Sequence, residues 1–332
     1  MKVNWGILST ANIARKAIIP ALIDAENCEV RAIASSNAKV DEIAKEFDIP
    51  TVYKSYEELI DDNSIEVVYI PLPNALHKEG VLKAAARGKH ILVEKPAALT
   101  SEDVEEMKRA CEENDVLLME AFMYQFQPQH QRVKEIIATG EIGEVRHLNS
   151  AFTFSLNFEE NRQNIRLNPE LGGGSIWDVG CYCIHSTRMI LEEEPTSVYV
   201  SGDIHPEFGI DTKATGILNF SNGVTATFYS SFEESMRNTY EVRGTKGSIF
   251  LPNAYRSDKV GEGEGEILIT NESGETRTEM VKGQQYVMQV QHFSDCVLTG
   301  ETPSYTITQT TQNIKTIEAC YRSLREGQCT GV

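Results

Sequence analysis

His90-Ile91-Leu92-Val93-Glu94-Lys95-Pro96 decides how this chain is read. The apolar run is too short for a helix and rich in branched side chains, so it predicts a buried strand. Lys95 precedes proline, which places it in an extended or turn conformation. Helix-start chemistry follows, with Thr100 or Ser101 ahead of Glu102 and Asp103. A charged lysine at the carboxyl end of a parallel strand stands where open α/β sheets put their ligands.

Outward from that stretch, residues 1–120 alternate strand and helix with short connections. Strands are expected at 3–8, 30–34, 67–70 and 116–119, and helices at 13–25, around 40–47, at 75–86 and around 107–111. This grammar predicts an α/β domain with a doubly wound parallel sheet, the Rossmann nucleotide-binding architecture. After Glu120 the grammar changes. A helix at 129–138, a long strand from 145 to about 157 and a helix at 175–191 lead into strands at 196–205, 213–221, 224–232 and 238–250. Residues 121–332 therefore read as an α+β domain with a large open, mainly antiparallel sheet, serving substrate binding and oligomerisation. Val224, Ala226 and Phe228 alternate with Thr225, Thr227 and Tyr229, and the second set is assigned to a homodimer or homotetramer interface. Gly261 to Glu266 reads as a solvated hairpin loop. Helices at about 285–299 and 308–326 close the chain, placed to pack back on the first domain.

Composition narrows the function. A chain of 332 residues holds two domains. A net charge of -18 argues against nucleic acid or an anionic membrane as partner. Seven scattered cysteines suggest reduced thiols and a cytoplasmic protein. Cys181 and Cys183 lack a second ligand pair, so they read as helix packing and no metal is expected.

Two clusters carry chemistry. The first strand-to-helix turn, Ser9-Thr10-Ala11-Asn12-Ile13-Ala14, stands where a G-x-G-x-x-G phosphate turn is expected. Its glycines are absent, yet small residues permit close backbone approach, and Ser9, Thr10 and Asn12 add donors. The second strand ends in Ser35-Ser36-Asn37, with Lys39 beyond and no carboxylate for a ribose diol. That favours a 2′-phosphate, hence NADP over NAD. The second cluster runs from Gly172 to His185. Asp178, Tyr182 and His185 are spaced by four and three, which sets them on one helical face beside the stripe of Trp177 and Cys181.

These motifs, with Trp5 to Ala14, Pro73-Asn74, His77, Glu94-Lys95-Pro96 and Gly172 to Tyr182, resemble the glucose–fructose oxidoreductase / inositol dehydrogenase / MocA-like oxidoreductases over the whole chain. The resemblance is to the branch of dimeric dihydrodiol dehydrogenases and NADP-dependent D-xylose dehydrogenases, where tyrosine stands four after the aspartate. It implies hydride transfer between nicotinamide and a sugar, polyol or cyclic diol. Lys95 and Tyr182 would form a proton-relay pair and Asp178 would orient substrate, with Gln125 and Trp177 beside it. It further implies cofactor contacts from Ser9 to Ile13, Ser35 to Asn37, Lys39, Pro71, Leu72, Asn74, His77, Glu94 and Lys95. Met123-Tyr124-Gln125-Phe126-Gln127-Pro128 departs from the family's Met-Trp-Arg-Phe-His-Pro, losing an arginine. A second reading is a cofactor-binding regulator without turnover, against which both Lys95 and Tyr182 count. A third uses transient oxidation to cleave a glycosidic bond.

Overall fold

Six parallel strands organise the N-terminal part of the chain, whose computed structural model describes residues 1–332. They are β1 (Val3–Leu8), β2 (Cys28–Ala34), β3 (Thr51–Tyr53), β4 (Val67–Ile70), β5 (His90–Val93) and β6 (Leu118–Glu120). Their order is β3-β2-β1-β4-β5-β6, so the topology reverses between β1 and β4, the place where doubly wound sheets bind ligands. Val67 to Ile70 and Ile91 to Val93 have no exposed surface. Helices cover both faces, which is why such strands read as unbroken apolar runs. Residues 12–24 are helical, with a π-helical turn at Ala14–Ile18 leading into α1 (Ile19–Asp24). Next come α2 (Lys39–Glu46), α3 (Tyr56–Ile60), α4 (His77–Ala85) and α5 (Ser101–Glu113). Thr100 caps α5 by accepting a hydrogen bond from the Asp103 N–H at 3.1 Å.

The chain divides into two compact units. Residues Met1–Met123 with Tyr286–Thr311 make the first, and Tyr124–Gln285 with Gln312–Val332 the second. In the second, α6 (Pro128–Ala138) precedes β7 (Val145–Ser155) and α7 (Cys181–Leu191). The remaining strands are β8 (Ser197–Ile204), β9 (Asp211–Asn219), β10 (Thr225–Ser231), β11 (Glu233–Gly244), β12 (Gly247–Leu251), β13 (Glu264–Asn271), β14 (Thr276–Lys282) and β15 (Thr330–Gly331). Nine strands pair in the order β14-β13-β12-β11-β7-β10-β9-β8-β15. Only β7 with β10 is parallel. Helices α8 (Gln285–Thr299) and α9 (Ile307–Glu326) end the fold.

Two expectations for this sheet are corrected. The stretch 238–250 is not one strand: the chain turns at Thr245-Lys246 between β11 and β12. The Gly-Glu run is not all loop, because Glu264 to Glu266 belong to β13. Gly265 lies against the Gln129 side chain, where a Cβ has no room, while Ile267 and Ile269 are buried on the same period of two. On the opposite face of the sheet, Tyr199 and Ile217 pair across β8 and β9 and are 42% and 41% exposed.

Candidate active site

In the first unit the residues expected to hold a cofactor stand at the carboxyl ends of β1, β2, β4 and β5. Ser9 takes a left-handed conformation, φ 72°, where the fingerprint has its first glycine. Its N–H donates to the Ala34 carbonyl at 2.8 Å, pinning the turn to the end of β2. Its hydroxyl accepts from the Ala11 N–H at 3.1 Å, so Ser9 shapes the turn from within. Ala14 is buried where the third glycine would let helix meet sheet. Thr10, Ala11 and Ile13 are half-buried and Asn12 exposed, at the start of a helix whose first N–H groups have no partner inside it.

The end of β2 divides into structural and open residues. Ser35 is buried, and its hydroxyl accepts from the Asn37 N–H at 3.1 Å. The Asn37 carboxamide accepts from the Lys39 N–H at 2.9 Å. Both polar groups serve the entry to α2, whereas the Ser36 hydroxyl and the Lys39 ammonium are exposed. This donor set suits a nucleotide: first-turn N–H groups and hydroxyls for a pyrophosphate, and a hydroxyl with a cation for a 2′-phosphate.

Pro71 is buried after β4, with Leu72 and Asn74 half-buried. The expectation for His77 is corrected. Its ring has no exposed surface; Nδ1 lies 2.9 Å from the Pro96 carbonyl and Nε2 2.7 Å from that of Leu72. A ring so enclosed does not touch a ligand at the surface. It joins the loop after β4 to the loop after β5, and burial pushes its basicity down to about 4. On the other side of Pro96, the Ala97 N–H donates to the fully buried Glu120 carboxylate at 2.9 Å. The Tyr69 phenol donates to Glu94 at 2.6 Å, and the Lys95 N–H donates to the same carboxylate at 3.3 Å. Burial raises the Glu94 carboxyl above its ordinary range despite those donors. Lys95 thus leaves a backbone fixed on both sides, and its own side chain is half-buried.

In the second unit the residues expected to face a substrate lie on the helix that becomes α7. Residues Ile176–Gly180 form a π-helical turn containing Asp178, a widening of the helix often found at functional sites. Uniform 3.6 periodicity therefore does not describe the step from Asp178 to Tyr182. Asp178 accepts from Arg166 Nε at 2.6 Å. The charge of Asp178, and to a lesser degree Tyr182, holds the guanidinium above its ordinary value. Arg166 is a residue of this arrangement that the sequence does not single out; twelve positions from its partner, in a single 3-10 turn at Ile165–Leu167, it belongs to no periodic pattern. Tyr182 is 6% exposed, packed among Tyr124, Phe152 and Tyr255 with ring centroids at 5.7, 5.2 and 5.6 Å. Trp177 stacks on Tyr321 at 5.4 Å. The Gln125 Nε2 is a buried donor without a protein partner.

His185, like Tyr182, packs against Tyr124, with ring centroids 5.5 Å apart. It is 1% exposed, its Nδ1 is 2.5 Å from the Tyr124 hydroxyl, and burial holds it well below its usual basicity. Cys181 and Cys183 are buried thiols outside any disulfide, and burial pushes that of Cys183 up to about 12, which makes it inert packing.

Comparison with known proteins identifies the family and the fold. Residues 3–122 match the GFO/IDH/MocA oxidoreductase family model for an NAD-binding Rossmann fold, and residues 130–250 match a GFO/IDH/MocA C-terminal domain. The chain is 38% identical to the D-xylose 1-dehydrogenase (NADP(+)) 2 of Haloferax volcanii, covering 97% of this chain and 98% of that one. It is 32% identical to the trans-1,2-dihydrobenzene-1,2-diol dehydrogenase of Xenopus tropicalis over 76% of each. A crystal structure of aldose-aldose oxidoreductase from Caulobacter crescentus complexed with glycerol superposes over all of both chains with a TM-score of 0.92 at 27% identity.

Proposed function

The chain belongs to the GFO/IDH/MocA oxidoreductase family, and from that premise we propose that it moves hydride between NADP and a hydroxyl-bearing carbon of a sugar, polyol or cyclic diol. The observation that carries the reading is the retention of two chemically matched groups: Lys95 at the end of β5, and Tyr182 one turn beyond the Arg166–Asp178 pair. A regulator has no use for either.

The first-turn amides from Asn12 onward, with Thr10, would hold the pyrophosphate; Ser36 and Lys39 would hold the 2′-phosphate. Bound there, the nicotinamide supplies the hydride-accepting carbon. Tyr182 takes the proton from the reacting hydroxyl in oxidation and returns it in reduction. A phenol titrating near 10 unaided is a poor base at neutral pH, and the Lys95 ammonium corrects this by favouring the phenolate. Asp178, fixed by Arg166, accepts from a neighbouring substrate hydroxyl. The Gln125 Nε2 donates to another, an exchange that relieves a buried donor otherwise destabilising by about 1–3 kcal/mol. The known relatives that act on D-xylose with NADP and on a dihydrodiol support this substrate class.

Fluorescence titration with NADPH and NADH, then assay of aldoses and diols, tests the reading. NADPH should bind more tightly, and the equal or tighter binding of NADH would overturn the cofactor preference. Lys95→Met should abolish turnover, and Tyr182→Phe should lower it by about 10²–10⁴-fold while cofactor affinity changes little. Activity within tenfold of the unaltered protein in either variant would remove that residue from the relay.

A homo-oligomer formed through the open face carrying Tyr199 and Ile217 completes the proposal. Sedimentation as a monomer at micromolar concentration would refute it.

A further inference from the structure

Asp211, at the start of β9, is buried with 1% of its surface exposed, yet it is a carboxylate. One oxygen accepts from the Ser175 hydroxyl and from the Ile176 N–H, each at 2.7 Å. The other accepts from the Tyr321 hydroxyl at 2.7 Å. Ser175 and Ile176 open the helix that carries Trp177, Asp178 and Tyr182. Tyr321 comes from α9, and its ring is the one stacked on Trp177. A single carboxylate thus ties a strand, the substrate-side helix and a C-terminal helix together at one point. Gly174 belongs to the same arrangement: at φ 119° its missing Cβ leaves the space occupied by the Asp211 carboxylate and the Tyr321 hydroxyl.

We infer that Asp211 and Tyr321 are positioning residues for the reaction, setting where the π-helical turn presents Trp177 and Asp178 to the substrate. The inference rests on the assignment of Asp178 and Tyr182 to the substrate side. Asp211 touches no reacting atom; it acts through Ser175 and Ile176, and Tyr321 acts through Trp177 and Asp211.

Burial raises the Asp211 carboxyl to about 6, against the pull of Tyr321, Ser175 and Ile176. Its ordinary value is about 3.9. With the folded value the higher, this group favours folding below about pH 4, and that contribution is lost as pH rises through 6. The ionised form at neutral pH is therefore a liability for stability as such. Asparagine escapes it: Oδ1 can accept from Ser175 and Ile176 while Nδ2 donates to the Tyr321 oxygen, the same tie without charge.

The experiment compares Tyr321→Phe, Asp211→Ala and Asp211→Asn with Tyr182→Phe in one assay of sugar oxidation, with NADPH affinity measured alongside. Tyr321→Phe keeps the stack on Trp177 and removes the hydroxyl, so it should fold; kcat should fall about tenfold, with NADPH affinity within twofold. Asp211→Ala should fall further. Asp211→Asn should restore kcat to within threefold of the unaltered protein and unfold no more readily at pH 7.5. Tyr321→Phe within twofold in kcat, or Asp211→Asn as impaired as Asp211→Ala, would overturn the positioning role. If Tyr182→Phe is strongly impaired while Tyr321→Phe is not, the tie fails and the relay stands. Full turnover in Tyr182→Phe with a loss in Tyr321→Phe supports the tie and refutes the relay.

Discussion

The turn at Ser9 in the first unit and the glycine run Gly172-Gly173-Gly174 in the second solve opposite problems. The first keeps the shape of a glycine turn without glycine. Ser9 adopts φ 72°, a conformation costing a non-glycine residue roughly 1–2 kcal/mol, and the surrounding bonds from Ser9 N to Ala34 and from Ala11 N to Ser9 Oγ hold it there. The second needs glycine for space as well as for conformation: Gly172 and Gly174 take φ 80° and 119°. A Cβ on Gly173 would meet the Arg166 carbonyl, and one on Gly174 would meet Asp211 and Tyr321. The Gly174 N–H donates to that same Arg166 carbonyl at 3.0 Å, so close approach of backbones is what brings Arg166 within reach of Asp178. A glycine needed only for its conformation is replaceable where neighbours can hold a strained residue; one that also leaves room for a neighbour is not.

The largest expected effect follows at Gly174. Gly174→Ala combines a positive φ with overpacking against a buried carboxylate, each worth about 1–3 kcal/mol. Urea unfolding should show a loss of at least about 2 kcal/mol, and sugar turnover should drop while NADPH still binds. A loss below about 1 kcal/mol would mean that the close packing around Asp211 yields easily, and the contrast with Ser9 would collapse.

The same contrast governs what could be read from the sequence. Strands such as β4 and β5 were legible because parallel strands covered on both faces are continuous apolar runs. Thr100 was legible as a cap because capping is local. The positions of Ser9, Ser35 and Lys95 just beyond strand ends were legible for the same reason, since the strands themselves were. Asp211 and Tyr321 were not, because their partners lie 36 and 110 positions away and neither carries a local signature. Strand β13 was hidden because Gly265 stands at an inward position where an apolar side chain would have shown the alternation. The π-helical turn at Asp178 escapes any search at a period of 3.6. His77 differs in another way: the resemblance implied a cofactor contact there, whereas its ring is enclosed between the Leu72 and Pro96 carbonyls.

The smallest effect, and the sharper test of the comparison, is at Ser9. Ser9→Gly releases the left-handed strain of about 1 kcal/mol. Against this, glycine enlarges the unfolded ensemble by about 0.5–1 kcal/mol, and the bond from the Ala11 N–H is lost, a further contribution of about 1 kcal/mol. The terms nearly cancel, so chemical unfolding should place the variant within about 1 kcal/mol of the unaltered protein. Cofactor binding separates the two possible roles of the hydroxyl. The Ser9 oxygen accepts from the Ala11 N–H and lies 3.5 Å from the Pro71 carbonyl oxygen, so the hydroxyl is a local turn-former. NADPH affinity in Ser9→Gly should then change less than about threefold. A hydrogen bond to a charged phosphate contributes about 1.5–3 kcal/mol, and its loss would weaken binding at least tenfold. That result would make Ser9 a phosphate ligand whose turn-forming bonds are secondary, and the first unit's solution would then be chemical as well as conformational.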